Sequence, residues 1–169
     1  LSRSDNTAAD HLMLTLGREA LETQLKKVPI FQPERNRPFL RTSELFKIKL
    51  IAPETLASSY PRLSEVEKRQ ALRQLEAMPL KEPRLYTKPT HIDQVEWFFT
   101  CNDLCQVLDK LRQSKEQQRA LELLAITRPF DIDDYAWDYL GFKGGAEAGV
   151  LNLSLLGKLR GKDSWYAFS

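Results

Sequence analysis

Apolar residues first recur at helical spacing just after Ser4-Asp5-Asn6-Thr7, where Leu12 and Leu16 fall on one face and Gly17 offers a stop. The short polar side chains of Ser, Asp and Asn accept hydrogen bonds from the first-turn N–H groups, so this pattern predicts a helix beginning there. A second short helix is expected over 18–27, with Leu21 and Leu25 one turn apart. The pattern then breaks up. Eight of the nine prolines, at 29, 33, 38, 53, 61, 79, 83 and 89, fall within 28–97. Proline lacks an N–H and clashes with the preceding turn, so loops and short helices are expected here. One such helix reads over 42–50. Another opens on the capping-box pattern Ser64-Glu65-Val66-Glu67 and runs to about 78. Thr100-Cys101-Asn102-Asp103 opens a further helix, on which Leu104, Val107, Leu108 and Leu111 trace an apolar face. A last one is expected over 115–125, with Leu121 and Leu124 inward.

Past Pro129 the character changes. Segments 137–144, 149–155 and 164–169 suit strands, although alternation from Val150 on is loose. The stretch 157–163, with two glycines, has turn chemistry. Three consecutive strands joined by short turns predict an antiparallel meander. Helices followed by strands make the expected fold class α+β.

Composition alters this picture little. Hydrophobic residues are 42% and charged residues 28%, an ordinary globular balance for one domain. Lys plus Arg is 25 against 23 for Asp plus Glu, a net charge of +2 with no basic block, so nucleic acid is not an expected partner. No apolar run is long enough to cross a bilayer, and no secretion signal is visible. The chain opens on Leu1 rather than Met, which reads as a processed or truncated product. The compartment is not fixed by these features.

Several residues invite chemistry and are weighed against simpler roles. Cys101 and Cys105 are spaced to share a helix face, but zinc usually takes about four ligands and only His11 and His91 could add to them. Two buried thiols are expected, and no metal. Asp131, Asp133 and Asp134 lack the glycine and terminal glutamate of a calcium-binding loop, so a solvated turn is expected. His91 is expected to bond locally within a loop and His11 to be structural. Trp97, Phe98 and Phe99 are expected to pack in a core.

Two motifs carry the functional reading. Ser4-Asp5-Asn6-Thr7-Ala8-Ala9-Asp10-His11-Leu12 resembles the second signature of the class A β-lactamases and their penicillin-binding relatives. Lys143-Gly144-Gly145, on an expected strand and before Ala146-Glu147-Ala148-Gly149-Val150-Leu151, resembles the family's Lys-Thr-Gly or Lys-Ser-Gly signature. Between them, Trp97 to Cys105 looks like the start of the helix that follows the family's Ω loop. The resemblance is good over 1–27 and 97–169 and poor over 28–96.

The resemblance implies a helical subdomain beside an antiparallel sheet, incomplete at the N-terminus. Residues 1–169 would be the C-terminal portion of a single β-lactamase/transpeptidase-like domain. Of these, 1–128 would be mostly helical, with an expanded Ω-loop-like region over 28–96, and 137–169 would be the last three strands. It implies acyl transfer through a serine, with a small amide or ester such as a β-lactam as substrate and no cofactor. Such chemistry needs a nucleophile, a base, an oxyanion hole and a proton donor for the leaving group. By resemblance, Ser4 relays a proton to the leaving nitrogen and Lys143 supplies positive potential for a substrate carboxylate. Asn6 binds a substrate carbonyl, and the strand at Gly145 and Ala146 binds the substrate, the Ala146 N–H donating to the oxyanion. Asp5 orients the loop. Ser4 and Lys143 are expected near hydrogen-bonding distance across a cleft.

Three departures qualify this. No serine has a lysine three residues on; Ser43 has Lys47 four residues on. In the family the Ser-x-x-Lys motif lies upstream of Ser-Asp-Asn, so it is expected before Leu1, and these residues alone are expected not to acylate. Gly144 stands where the family has a hydroxyl residue that helps hold the substrate carboxylate, a loss of about 1.5–3 kcal/mol for one charge-assisted hydrogen bond. Glu147 would repel such a carboxylate if it pointed into the cleft. In the altered loop, Gln32 falls where the deacylating glutamate would be. Glu34, Glu54 and Glu96 are possible substitutes, each expected to be a solvated surface acid. An amidase or esterase is therefore favoured over an efficient β-lactamase, and the alternative is a non-catalytic ligand-binding module on the same fold.

Overall fold

The computed structural model describes residues 2–79, 88–114, 116, 118–127 and 134–169. Their architecture is α+β. Seven α-helices precede a three-stranded antiparallel sheet among these residues. The helices are α1 (Asn6–Leu16), α2 (Arg18–Leu25), α3 (Thr42–Phe46), α4 (Glu54–Ser59), α5 (Glu65–Glu76), α6 (Cys101–Gln113) and α7 (Gln118–Leu124). The strands are β1 (Trp137–Glu147), β2 (Val150–Leu159) and β3 (Trp165–Phe168), in that spatial order.

The proline-rich stretch builds a core of its own. Leu40, Leu45, Ile48, Ala57, Tyr60, Leu72, Leu75 and Val95 pack together, with Trp97 against them. The expected core role of Trp97 holds, and its indole N–H donates to the Leu40 carbonyl at 3.0 Å. Phe98 lies under the Arg35 guanidinium, 3.6 Å from its ring centroid. Prolines here punctuate rather than dissolve structure. Pro53 stands just before α4, a helix the periodicity did not indicate, and fits there because its fixed φ suits a helix entry and no N–H is lost. The helix expected over 42–50 stops at Phe46. The chain then widens into a π-helical turn, Lys47–Ile51, closed by the Ala52 N–H on the Lys47 carbonyl at 2.8 Å. The wider turn leaves consecutive residues Ile48 and Lys49 both buried.

A second core joins helices to sheet. Leu108 of α6, Leu121 and Leu124 of α7 and Leu156 of β2 form it, flanked by Tyr139, Trp165 and Ala167. Cross-strand partners share a face, so Tyr139, Lys158 and Trp165 lie on the helix-covered side. The other side carries Phe142, Leu155 and Phe168 as one row and Leu151 beside Ala146. Both Phe168 and Leu151 are exposed.

Several expectations shift. β1 extends beyond 144 to Glu147 because its glycines pair fully with β2, ending at Glu147 opposite Val150. Gly157, Lys158 and Leu159 belong to β2 rather than to a turn, and the turn lies at 160–164. Gly157 is needed because the Trp137 ring lies where a Cβ would stand. The last helix is shorter than expected, Gln118–Leu124. Leu12 and Leu16 share a face, but it is exposed, at 58% and 67%, and Met13 points inward instead. Spacing defines a helix face without saying what covers it. Cys101 is exposed and Cys105 half-buried, both free thiols, so the expected buried pair is not found. His11 is exposed. His91, held at φ 49°, pairs not within its loop but with Glu54 across 3.2 Å. The expected change after Pro129 and the aspartates Asp131 and Asp133 lie outside the described residues, while Asp134 opens a 3-10 turn, Asp134–Ala136.

Candidate functional site

The N-terminal motif folds as a capped helix whose carboxylates brace two elements. The Asp5 side chain accepts from the Ala8 N–H at 2.9 Å, closing the first turn of α1 as expected of a loop-orienting residue. Asp10, one face further along α1, reaches another helix. Its two carboxylate oxygens accept the backbone N–H groups of Thr42 at 2.7 Å and Ser43 at 2.9 Å. These are orphan donors at the start of α3, so an anion there satisfies both hydrogen bonding and the helix dipole. The motif's final acid therefore fixes α1 against α3, a role that spacing along one chain segment does not reveal.

Ser4 precedes the cap with φ 53°, in the left-handed region that a side chain with a Cβ adopts at a cost. It brings the Ser4 side chain beside the middle of β1. There the Lys143 ammonium donates to Ser4 Oγ at 2.5 Å and also to the Gly144 carbonyl. The separation expected of the two residues is found. Burial pushes the Lys143 amine below its ordinary value, since the charged form loses hydration. Among the described residues no carboxylate lies within ion-pair distance of it, so the charge is left to whatever occupies the adjoining space.

That space is a cleft of about 320 Å³. Ser4, Lys143, Gly144, Gly145 and Ala146 line it, with Phe142 and Leu153 as an apolar wall. Ser2 lines it too, held where the Thr127 hydroxyl donates to its carbonyl at 2.7 Å. Among the described residues β1 is an edge strand, so alternate backbone groups along it face away from β2. Of the residues singled out in the sequence, Ser4, Lys143, Gly145 and Ala146 converge on the cleft. Asn6 is exposed at the start of α1 and is not among the lining residues.

No family model matches this chain, and no curated protein is significantly similar to it.

Gly144 has a physical reason that the motif comparison missed. A Cβ there would stand 2.8 Å from the Phe142 ring and 3.2 Å from the Asn152 carbonyl. A hydroxyl residue does not fit without displacing the aromatic wall. Glu147 does not enter the cleft either. Its carboxylate accepts from the Lys49 ammonium at 2.6 Å and is nearly buried, so the anticipated repulsion of a bound carboxylate has no source there. Glu34 and Glu54 are exposed, as expected of surface acids. Glu96 is not: its side chain is 10% exposed and pairs with Lys49, whose side chain is wholly buried. The signal for this was the lysine two residues past Lys47 within an apolar run, legible only once the π turn directs it inward.

Proposed function

We propose that this chain is the C-terminal portion of an acyl-serine hydrolase with the β-lactamase/transpeptidase-like fold, acting on small amides or esters. The observation that carries this reading is the Lys143–Ser4 hydrogen bond at the wall of the cleft, made by a desolvated ammonium without a carboxylate partner among the described residues. A neutral or anionic group entering the cleft meets a fixed positive charge, a hydroxyl able to pass a proton, and an open strand edge with backbone donors. In this reading Ser4 shuttles the proton to the leaving group, Lys143 poises Ser4 and attracts a negatively charged substrate, and Gly145 and Ala146 supply backbone binding, with the Ala146 N–H toward the oxyanion. Asn6 binds a substrate carbonyl in this reading, although it does not line the cleft in this structure. The nucleophile is a serine of Ser-x-x-Lys type that these 169 residues do not contain.

Gly144 and the placement of Glu96 shape the substrate choice. Without a hydroxyl at 144 a carboxylate is held by Lys143 alone, and Glu96 is engaged with Lys49 rather than placed as a water-activating base. Both favour an amidase or esterase with a long-lived acyl-enzyme over a rapid β-lactamase. The absence of Ser-x-x-Lys also favours a second reading, a ligand-binding module that uses the same cleft without turnover.

Incubation with a fluorescent penicillin and with an activated ester, followed by mass spectrometry, separates these readings. The expected result is an acyl adduct in the protein's longest natural form and none in the 169-residue chain. Failure of both reagents to label the longest form would contradict the hydrolase and leave the binding module.

A further inference from the structure

Away from the cleft, one pair of reactive side chains has no part in the proposed chemistry. Cys101 opens α6, and Cys105 lies one turn further on. Both are free thiols, the first exposed and the second half-buried. The helix needs neither of them for its own entry. The Thr100 hydroxyl accepts the Asp103 N–H at 3.1 Å, and the Asp103 carboxylate accepts the Thr100 N–H at 2.8 Å. Leu108, on the turn after Cys105, belongs to the core shared with β2, so the pair sits where that core meets solvent. The sulfurs are close enough to sense each other: burial, and then the charge of Cys101, push the Cys105 thiol up.

Spacing decides what two such thiols can do. Side chains four residues apart on a helix have Cβ atoms about 5–6 Å apart. A disulfide needs about 3.5–4.5 Å between Cβ atoms, so an intact α6 does not close one. A single ion spans the longer gap, because two metal–sulfur bonds of about 2.3 Å set the sulfurs up to about 4.6 Å apart. Coordination number then narrows the choice of ion. Among the described residues no group of three or more His, Cys, Asp or Glu could hold a metal, so no third ligand of these types joins the thiols. Zinc, which takes about four ligands, is left unsatisfied by such a pair. Thiolate sulfur selects soft ions, and among the biological ones copper(I) accepts two ligands in a line.

We propose that Cys101 and Cys105 form a two-coordinate copper(I) site on the first turns of α6. Binding needs no oxidant or reductant. Each thiol gives its proton to solvent, each sulfur donates a lone pair to the ion, and the copper stays copper(I). One cation with two thiolates leaves a single net negative charge. That charge forms near the N-terminal end of a 13-residue helix, where the first N–H groups favour it. The ion also stands between two thiolates that would otherwise repel. Neither cysteine lines the cleft, so the site does not depend on the acyl transfer proposed above.

The test is a titration of the reduced 169-residue chain with copper(I), without oxygen, against the chromophoric chelator bicinchoninate. Wild type, Cys101→Ser and Cys105→Ser are compared. The wild type is expected to take one copper per chain from the chelator, and X-ray absorption is expected to show two sulfur neighbours and no nitrogen. Each variant is expected to leave the ion with the chelator. Uptake by the variants equal to that of the wild type overturns the site, as does a wild type that takes up none. Copper held by one sulfur, or shared between two chains and seen as a dimer by light scattering, overturns it too. Cys101 is exposed, so Cys101→Ser is expected to fold, and it decides alone if Cys105→Ser does not. Because the spacing suits the helix as it stands, far-UV circular dichroism is expected to stay unchanged on binding; loss of helix overturns the geometry.

Discussion

Lys49 and Lys143 are both withdrawn from water, yet their surroundings differ in kind. Lys49 lies among two carboxyl groups at the junction of three segments and is wholly enclosed. Lys143 lies half-buried at an open cleft, and its partners there are a hydroxyl and a carbonyl, neither of which cancels its charge. A buried charge with counter-charges is a tie within the fold, because removing one member strands the others. A partly buried charge without one is a reservoir of unspent electrostatic attraction, which a ligand can satisfy. In the proposed reading, two lysines in one chain put the same ammonium to a structural and a functional use, and the neighbours rather than the residue decide which.

The largest effect expected from this contrast is on stability. Lys49→Met takes the ammonium away from two nearly buried carboxyl groups and should cost about 3–5 kcal/mol in urea unfolding. Lys143→Met removes a charge that has no carboxylate partner among the described residues and should change stability by less than about 1 kcal/mol. Equal losses in the two variants would erase the distinction.

Next comes the wall of the cleft. Gly144→Thr introduces a hydroxyl next to Lys143, but its Cβ meets the Phe142 ring. Overpacking of this kind should cost about 1–3 kcal/mol and lower the melting temperature. A stable Thr variant would show that the ring yields freely.

A smaller effect follows from pH. The Glu96 carboxyl keeps its proton to about pH 7 when folded, whereas its ordinary value is 4.5. The folded state binds the extra proton between those values. The contribution of Glu96 to stability is therefore greatest toward the acid side of that window, falls as pH rises through it, and levels off above about 7, a slope read in denaturant titrations. Glu96→Gln should flatten that slope, and an unchanged slope would place its origin elsewhere. The smallest effect is at Ser4. Its φ of 53° suits glycine, so Ser4→Gly should stabilise the protein by about 1 kcal/mol while removing the hydroxyl that Lys143 holds. Destabilisation by this change would mean that the hydroxyl contact outweighs the backbone strain.

What the sequence disclosed followed the range of the forces involved. Caps are local, so Asp5, Ser64 and Thr100 were legible from a few neighbouring residues, and each closes its helix. The meander was legible because consecutive antiparallel strands need only short turns, although the strand ends were not: Gly157 looked like a turn residue until the Trp137 ring explained it. Contacts between distant segments stayed hidden. Asp10 capping α3 and Lys49 meeting Glu147 join residues far apart in sequence, and neither has a local signature. In the cleft, the pairing of Ser4 with Lys143 was anticipated from two motifs. The fit of Gly144 and the diversion of Glu147 to Lys49 depended on packing that no motif encodes.

The central claim is that Lys143 and Ser4 serve acyl transfer at this cleft. The most direct test is the rate of acyl-adduct formation by the protein's longest natural form, wild type against Lys143→Met, followed by mass spectrometry with an alkyl ester or amide whose leaving group needs a proton. Loss of a positioned proton-handling group should slow acylation by about 10²–10⁴-fold with folding intact. Equal rates in the two proteins would contradict the account.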